Sequence, residues 1–293
     1  MSELLAPTKG RRTPTEPHCP VCGRAGRPFR SAQEVAHDLA ETVDHHADGE
    51  LKLMRDEGVP LAGCDRCGTL WRADPEIWRA AVDDYRADRY EPGLLARLHQ
   101  DELEKARDDQ RWLVANGAAE GQRLLEVGCY VGGFLAFAGE HGASATGLDP
   151  NPQMVGWCHS QRLDARLGVL DASAWRGPSF DGVWILNCFD QVARPAALLN
   201  GTRRLVKAGG PLVIRTPSAA FVRAAYAGPA RLRAAARQQA LWGVPHLCCY
   251  TVSAAADLVR RAGFSVTGVR ARPTAEPVTH GGPAWFDLTA IAA

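Results

Sequence analysis

One stretch of the chain carries an acidic residue and glycines at a spacing that suits a nucleotide-like ligand. Glu126, Gly128 and Gly132 lie in the run LLEVGCYVGGF, and Asp149 follows the turn by about 20 residues. Glycines let the backbone turn sharply and let a ligand approach it closely. An acid in the position of Asp149 can accept hydrogen bonds from both ribose hydroxyls of an adenosine cofactor. The pattern fits either a dinucleotide or S-adenosylmethionine.

A second group of reactive residues is formed by two C-x-x-C-G motifs, Cys19 with Cys22 and Cys64 with Cys67. The glycine after each pair lets backbone amides point at thiolate sulfur, and two such turns supply the tetrahedral sulfur set that structural zinc prefers. Four cysteine ligands leave no open position for a catalytic water, so this zinc would be structural. A redox pair or disulfide is the alternative. The other cysteines are expected to be small buried side chains: Cys129, Cys158, Cys188, Cys248 and Cys249.

Short apolar runs alternate with helical stretches from residue 122 onwards, and these elements would hold the glycine turn in place. The strands are predicted at Arg123–Val127, Ser144–Leu148, Ala165–Leu170, Gly182–Leu186, Leu212–Arg215, Phe264–Val269 and Trp285–Ile291. Such alternation is typical of an α/β fold, a doubly wound (Rossmann-like) and mostly parallel seven-stranded sheet. In that fold a ligand lies at the carboxyl ends of the strands, beside a helix N-terminus.

The sequence predicts four regions: a disordered tail (1–17), a zinc-binding domain (18–72), a helical linker or cap (73–119) and the α/β domain (120–293). The linker reads as two amphipathic helices broken at Pro92-Gly93. Residues 219–241 read as a helical insertion, and we expect both to close over the open end of the sheet. The arginines of the insertion are expected on a solvated helix face: Arg223, Arg231, Arg233 and Arg237.

Further motifs follow in order: FDGVW at 180–184, LVKAGGPLVI at 205–214 and HLCCYT at 246–251. Together with Glu126-x-Gly128-x-x-x-Gly132 and Asp149, they resemble the motifs of class I S-adenosylmethionine-dependent methyltransferases. An acidic residue that opens the glycine motif separates this family from dinucleotide binders, because it faces the cationic amino-acid end of the cofactor. The segment from His246 to Phe264 resembles that of small-molecule members.

The resemblance implies a role for each matched residue. Glutamate and glycines would surround the methionine part of the cofactor, Asp149 would hold the ribose, and Asp171-Ala172 would lie against the adenine. Asn187 would line the pocket under the transferred methyl. The implied cofactor-binding set is Glu126, Gly128, Tyr130, Gly132, Asp149, Pro150, Asp171, Ala172 and Asn187.

The chain departs from the family pattern around the acceptor pocket. Tyr130 occupies the place of the second motif glycine, so its side chain must point away or cover the methionine end. Asp190-Gln191 replaces a frequent Glu-His pair, and Cys248-Cys249 replaces an aromatic pair. These departures leave the expected cofactor unchanged, but the acceptor of this chain cannot be taken over from the family.

Three residues are candidates for removing a proton from the acceptor: His246, Tyr250 and Asp190. His246 is the most natural base, because an unperturbed histidine pKa lies near the working pH. The alternative is that His246 is only a wall of the pocket. An acceptor that is already nucleophilic would need orientation alone.

The long spacing between Cys22 and Cys64 resembles the zinc-binding domain that precedes the catalytic domain of sugar C-methyltransferases. The expected acceptor is therefore a small molecule, a specialised metabolite or a sugar, in a biosynthetic reaction. Two alternatives remain open: an RNA- or protein-directed methyltransferase that holds its substrate with the zinc turns, and a cofactor-binding scaffold without turnover.

Charge and hydropathy exclude some classes of protein. The 34 Lys and Arg residues nearly balance the 33 Asp and Glu residues, for a net charge of +1, which argues against a strongly basic nucleic-acid binder. No apolar run reaches the ~18 residues of a membrane span. Residues 1–20 lack an apolar signal core, so a cytoplasmic location is expected.

Overall fold

Two β-sheets form the framework of this computed structural model, which describes residues 18–34, 60–73, 82–83, 85–87, 89–228, 247–272 and 285–293. The predicted tail (1–17), the end of the insertion (229–241) and His246 lie outside the described residues. In chain order the strands are β1 (Arg27–Arg30), β2 (Leu61–Gly63), β3 (Leu70–Arg72), β4 (Arg123–Val127), β5 (Ser144–Asp149), β6 (Asp164–Leu167), β7 (Gly182–Leu186), β8 (Pro211–Pro217), β9 (Cys248–Cys249), β10 (Phe264–Arg272) and β11 (Trp285–Ala292).

The larger sheet has seven strands in the order β10-β11-β8-β7-β4-β5-β6. Strands β4 to β8 run parallel to one another, whereas β11 is antiparallel to both β8 and β10. The central strands β7 and β8 are buried and nearly continuous in apolar residues, as expected for parallel strands covered on both faces. The predicted doubly wound, mostly parallel seven-stranded α/β fold is confirmed.

Helices connect and cover these strands. They are α1 (Pro92–Asp108), α2 (Gln110–Ala115), α3 (Gly133–Glu140), α4 (Pro152–Ser160), α5 (Pro195–Leu205), α6 (Ala219–Ala227) and α7 (Val252–Arg261). Helix α1 buries Leu95, Leu103 and Ala106 and packs closely on α3. Among the described residues, no helix combines the length and apolarity needed to cross a membrane.

The linker helices are interrupted where the sequence predicts a break. Residues 85–87 are helical, residues 89–91 are not, and Pro92 begins α1, because its fixed φ and missing N–H suit the first helical turn. A second break, which the sequence does not predict, lies at Asp109, between α1 and α2. At this break the Asp109 carboxylate binds the guanidinium groups of Arg215 and Arg270.

The smaller sheet has the order β1-β2-β3-β9 and combines strands that lie far apart in the sequence. Its first three strands come from the cysteine-rich region, but β9 comes from the α/β region, pairing Cys249 with Leu70 and Cys248 with Trp71. The Arg72 amide also donates to the Leu247 carbonyl oxygen at 2.9 Å. The cysteine-rich region is thus bound directly to the segment that follows His246 in the chain.

A buried ionic network ties α1 and α2 to the antiparallel end of the large sheet. The fully buried Asp287 carboxylate accepts from Arg215 Nε at 2.8 Å and from Arg270 Nη2 at 2.6 Å. Asp109 binds the other side of both arginines, and Arg272 bridges the two acids. The guanidinium of Arg270 also lies 4.1 Å from the centre of the Trp112 ring.

Asp287→Ala is expected to lower the free energy of unfolding by about 3–5 kcal/mol, because it leaves three partly buried arginine charges with Asp109 as their one acid in the network. Urea unfolding followed by circular dichroism measures this change. The control is Glu140→Ala, which removes the partner of Arg107 in an ion pair whose side chains are 47% and 39% exposed; it should cost less than about 1 kcal/mol. Equal losses in the two variants would contradict the role given to the network.

Candidate functional site

Two acidic side chains lie buried at the ends of neighbouring parallel strands. Glu126 is on β4 and Asp149 ends β5, and the register pairs Val127 with Leu148. Glu126 is 4% exposed, and its Oε2 atom has no hydrogen-bond partner among the described residues. Burial raises its pKa well above the usual range. A buried carboxyl oxygen without a partner is costly in a finished core, so this atom points to a missing cationic or hydrogen-bonding ligand.

The glycine turn between β4 and α3 folds back against β5 and the end of β7. Gly128 has φ +74° and donates to the Leu148 carbonyl oxygen at 2.8 Å. A Cβ at this position would lie 2.7 Å from the Cβ and Sγ atoms of Cys188. Glycine is required here both by its backbone angle and by the neighbouring side chain.

Gly128→Ala is expected to lower the free energy of unfolding by about 2–4 kcal/mol, the sum of left-handed strain and overpacking. Gly121→Ala is the matched control, because Gly121 has φ +76° and open space where a Cβ would stand. Gly121→Ala should lower the free energy of unfolding only by the left-handed strain, about 1–2 kcal/mol. Chemical unfolding of both variants separates the two effects, and a loss at Gly128 no larger than that at Gly121 would contradict the packing argument.

Tyr130 takes the place of a motif glycine without blocking the turn. Its φ is +47°, in the left-handed region that a side chain rarely adopts. Its backbone amide donates to Asp149 Oδ2 at 2.9 Å, and its ring packs at the edge of an apolar cluster that includes Val131 and Met154. The tyrosine therefore supplies the backbone donor of the turn and directs its ring into that cluster.

Asp149 is 2% exposed and already accepts three hydrogen bonds from the chain. Oδ2 accepts from Tyr130, while Oδ1 accepts from the Asn151 amide at 2.8 Å and from the Tyr85 hydroxyl at 3.1 Å. Burial raises the pKa of Asp149 to about 6. Tyr85 was not singled out in the sequence, where it lies in a charged stretch without a motif.

The remaining predicted cofactor residues border the same strand ends. Asn187 follows β7 with φ +59°, a strained angle of the kind found at functional sites. Gly168 donates to the Asp149 carbonyl oxygen at 2.8 Å, so the segment with Asp171 and Ala172 begins next to β5. Asp171 caps a short turn by accepting from Ser173 N and Oγ. The structure brings these residues, with Gly132 and Pro150, to one edge of the sheet; their contacts with a cofactor stay predictions.

Two of the three predicted proton-removing residues are closed off from solvent. Asp190 and Tyr250 are both fully buried, and the Tyr250 hydroxyl lies 3.5 Å from the Phe189 carbonyl oxygen. Burial raises the pKa of Tyr250 well above its usual range, which makes it a poor base at neutral pH. Asp190 is joined to the segment after His246 by the Leu247 amide, which donates to its carbonyl oxygen at 3.0 Å. His246 itself lies outside the described residues.

The four cysteines of the two motifs converge on one point. Their sulfur atoms all lie within 4.8 Å of one another, with 3.5 Å between Cys19 and Cys67 and between Cys22 and Cys64. Both turns have the same form, since Gly23 N donates to the Cys19 carbonyl oxygen and Gly68 N to that of Cys64, each at 2.9 Å. All four are free thiols. The set matches the sulfur tetrahedron of a structural zinc site.

Three side chains of the α/β region hold the cysteine turns in place. Arg223 Nε donates to the Gly68 carbonyl oxygen at 2.9 Å, and the Thr251 hydroxyl donates to that of Cys67 at 2.8 Å. Arg261 Nη2 donates to the Val21 carbonyl oxygen at 2.5 Å. The expectation of a solvated Arg223 was wrong, because this half-buried guanidinium caps the second turn; Arg231, Arg233 and Arg237 lie outside the described residues.

Two curated proteins that are similar to this chain share one name. The chain is 31% identical over 154 residues to the ubiquinone biosynthesis O-methyltransferase of Xanthomonas oryzae pv. oryzae, a match that covers 42% of this chain and 64% of that protein. It is 32% identical over 108 residues to the enzyme of the same name from Alkalilimnicola ehrlichii, with 34% and 43% coverage. The chain thus spans less than two thirds of the length of these relatives.

A solved structure and a family model extend the comparison. An S-adenosylmethionine-dependent methyltransferase from Mesorhizobium loti superposes with a TM-score of 0.50 and 21% identity, over 62% of this chain and 97% of that one, which supports the fold. The family model of a methyltransferase domain matches residues 85–269, more than half of the chain. The protein therefore belongs to the methyltransferase domain family, and its large sheet is that of a class I S-adenosylmethionine-dependent methyltransferase.

Proposed function

We propose that this protein transfers a methyl group from S-adenosylmethionine to a small-molecule acceptor. The observation that carries the proposal is the pair of buried acids at adjacent strand ends, Glu126 with an unpartnered Oε2 and Asp149 at the tip of β5. One carboxyl is free to meet a cationic amino group, and the other lies where a ribose would be held. A cofactor-binding scaffold without turnover would need the same two acids, so methyl transfer to an acceptor distinguishes the enzyme from that alternative.

The residues of the chain would bind the cofactor and orient it. Glu126 and the amides of the turn would hold the amino-acid end, Asp149 the ribose, and Asp171 and Ala172 would border the base. S-adenosylmethionine supplies an electrophilic methyl group on its sulfonium. The protein must then align the acceptor in line with that group and keep water away. Asn187, at the end of β7, is the described residue that we place beneath the reacting centre.

We assign the cysteine cluster to one structural Zn²⁺ bound by Cys19, Cys22, Cys64 and Cys67. The support is the convergence of four free thiols within 4.8 Å in two identical turns. Because four sulfur ligands complete a tetrahedron, the metal would take no part in the reaction. Its effect would be to fix β2 and β3, and through them β9.

A small-molecule acceptor is supported by the relatives, which are named for O-methylation in ubiquinone biosynthesis. The near-neutral charge of the chain also argues against a strongly basic RNA-binding protein. A phenolic oxygen is therefore the first acceptor atom to test. His246 remains the predicted base; Asp190 and Tyr250 are better placed to support the wall of the pocket than to exchange protons with solvent.

The proposal is tested by calorimetric titration of zinc-loaded protein with S-adenosylhomocysteine, followed by transfer of a labelled methyl group to a panel of phenols, sugars and total RNA. We expect micromolar binding and label in a small molecule. A folded protein that binds neither S-adenosylmethionine nor S-adenosylhomocysteine would refute the proposal, and label in RNA alone would refute the acceptor class.

Cofactor affinity should depend on pH through Asp149. Its pKa of about 6 means that the carboxyl is protonated below that value and ionised above it. Only the ionised form accepts hydrogen bonds with both oxygens, so the association constant for S-adenosylhomocysteine should fall by about tenfold for each pH unit below pH 6. Titrations between pH 5 and pH 8 measure this slope. Tighter binding at pH 5 than at pH 7 would contradict the assignment.

A further inference from the structure

The hydrogen bonds around Asp149 leave too few acceptor positions for a ribose. A carboxylate offers about two lone-pair positions on each oxygen. On Oδ1 both are used, by the Asn151 amide and the Tyr85 hydroxyl, while Tyr130 N uses one of the two on Oδ2. A ribose that donates one hydroxyl to each oxygen therefore needs a position that Tyr85 holds. Of the three donors, only Tyr85 is a side chain that can leave without unfolding the turn.

Tyr85 belongs to a segment that is fastened to α4 beside this acid. The Tyr85 carbonyl oxygen accepts from Asn151 Nδ2. Further along, Tyr90 N donates to Gln153 Oε1 and Gln153 Nε2 donates to the Tyr90 carbonyl oxygen, both at 2.7 Å. Tyr90 is 5% exposed and packs with Leu95 against Met154. Tyr90 is thus buried and doubly hydrogen-bonded. Tyr85 is partly buried, its ring packs against the same apolar cluster, and its hydroxyl makes one hydrogen bond to Asp149.

We infer that Tyr85 gates the cofactor site: its hydroxyl occupies the place of one ribose hydroxyl on Asp149 and must leave when the cofactor binds. The inference rests on the proposed function, since it takes Asp149 to be the ribose acid. The nearby Tyr90–Gln153 pair keeps the segment attached, so that the ring can swing aside and return. Without cofactor, the Tyr85 hydroxyl supplies a hydrogen bond to Asp149 and shields the carboxylate from water. The same hydroxyl competes with the cofactor for that position.

If the Tyr85 hydroxyl competes with the ribose for Asp149, its removal should change the affinity for S-adenosylhomocysteine. Removing it while keeping the ring frees a position on Oδ1 and leaves the packing intact. Tyr85→Phe should therefore bind S-adenosylhomocysteine about 2- to 10-fold more tightly than the parent, the range set by the net worth of one hydrogen bond. The association rate should rise as well, because the gate no longer has to open.

A second readout separates gating from a structural role. In the parent, the Tyr85 hydroxyl can remain on Oδ1 when the ligand lacks the competing ribose hydroxyl, so the loss of that hydroxyl costs little. In Tyr85→Phe the same loss leaves a buried carboxylate oxygen short of a donor. Of the 2′-deoxy and 3′-deoxy forms of S-adenosylhomocysteine, at least one should show a larger loss of affinity in the variant than in the parent.

The experiment compares the full-length parent, Tyr85→Phe and the control Tyr226→Phe by calorimetry with these three ligands. Tyr226 lies on α6 with its ring 6.0 Å from that of Phe29, and its variant should bind like the parent. The gate is supported if Tyr85→Phe binds S-adenosylhomocysteine more tightly than the parent and also loses more affinity than the parent when a ribose hydroxyl is missing from the ligand. Equal or weaker binding by Tyr85→Phe, in a parent that binds, overturns the gate alone. Failure of all three proteins to bind overturns the proposed function and the gate with it.

Discussion

Asp149→Asn is expected to weaken S-adenosylhomocysteine binding by at least about 100-fold, because the two charge-assisted hydrogen bonds that we propose between Asp149 and the ribose are replaced by weaker neutral ones. Asparagine has the same shape, and its amide nitrogen cannot accept a hydroxyl proton. Calorimetric titration measures the change. Asp257→Asn is the control, since Asp257 lies exposed on α7, where it pairs with Arg260; it should bind like the parent.

The same substitution should leave the protein folded. Burial raises the pKa of Asp149, which means that the native environment disfavours its charged form. A neutral side chain removes that cost, but its amide nitrogen cannot accept from a backbone amide such as that of Tyr130, so the melting temperature of ligand-free Asp149→Asn should fall by only a few degrees. Loss of binding because the variant is unfolded at the assay temperature would indicate a structural acid instead, and binding within threefold of the parent would refute the ribose assignment.

Strand positions could be read from the sequence where a strand is buried on both faces. The prediction for Arg123–Val127 matches β4, and that for Gly182–Leu186 matches β7. The third strand was placed less well, because β6 ends at Leu167 whereas Ala165–Leu170 was predicted. Gly168 has φ +139° and turns the chain away, so the apolar residues after it leave the strand. An apolar run alone does not mark such a turn.

The site was predictable in its acids and thiols but not in its long-range contacts. Glu126, Asp149 and the four cysteines lie in local motifs with a chemical reason for each spacing. Tyr85 lies 64 positions before the acid that it contacts, and Arg223 lies 155 positions after the turn that it caps. Nothing in the neighbourhood of either residue indicates its partner, since only the packing of α1 and α6 brings them there.

Loss of the metal should lower the rate of methyl transfer and leave the affinity for the cofactor nearly unchanged. Cys64→Ser removes one of the four proposed zinc ligands, and we expect the zinc content to fall from about one per chain to near zero after mild chelation. The bonds that hold the cysteine turns run to Arg223, Thr251 and Arg261, and β3 pairs with β9. Methyl transfer should therefore fall by at least about tenfold, as the chain near His246 loses its support.

Cofactor binding should survive this change, because Glu126 and Asp149 are positioned by β4, β5 and the glycine turn. The dissociation constant for S-adenosylhomocysteine should stay within about threefold of the parent value, while amide exchange of residues 247–251 accelerates. Cys158→Ser, at a buried thiol outside the cluster, should retain zinc and normal exchange. If Cys64→Ser keeps its metal, the ligand assignment is wrong. If it loses metal and cofactor affinity together while the large sheet stays folded, the zinc region supports the whole site rather than its acceptor side.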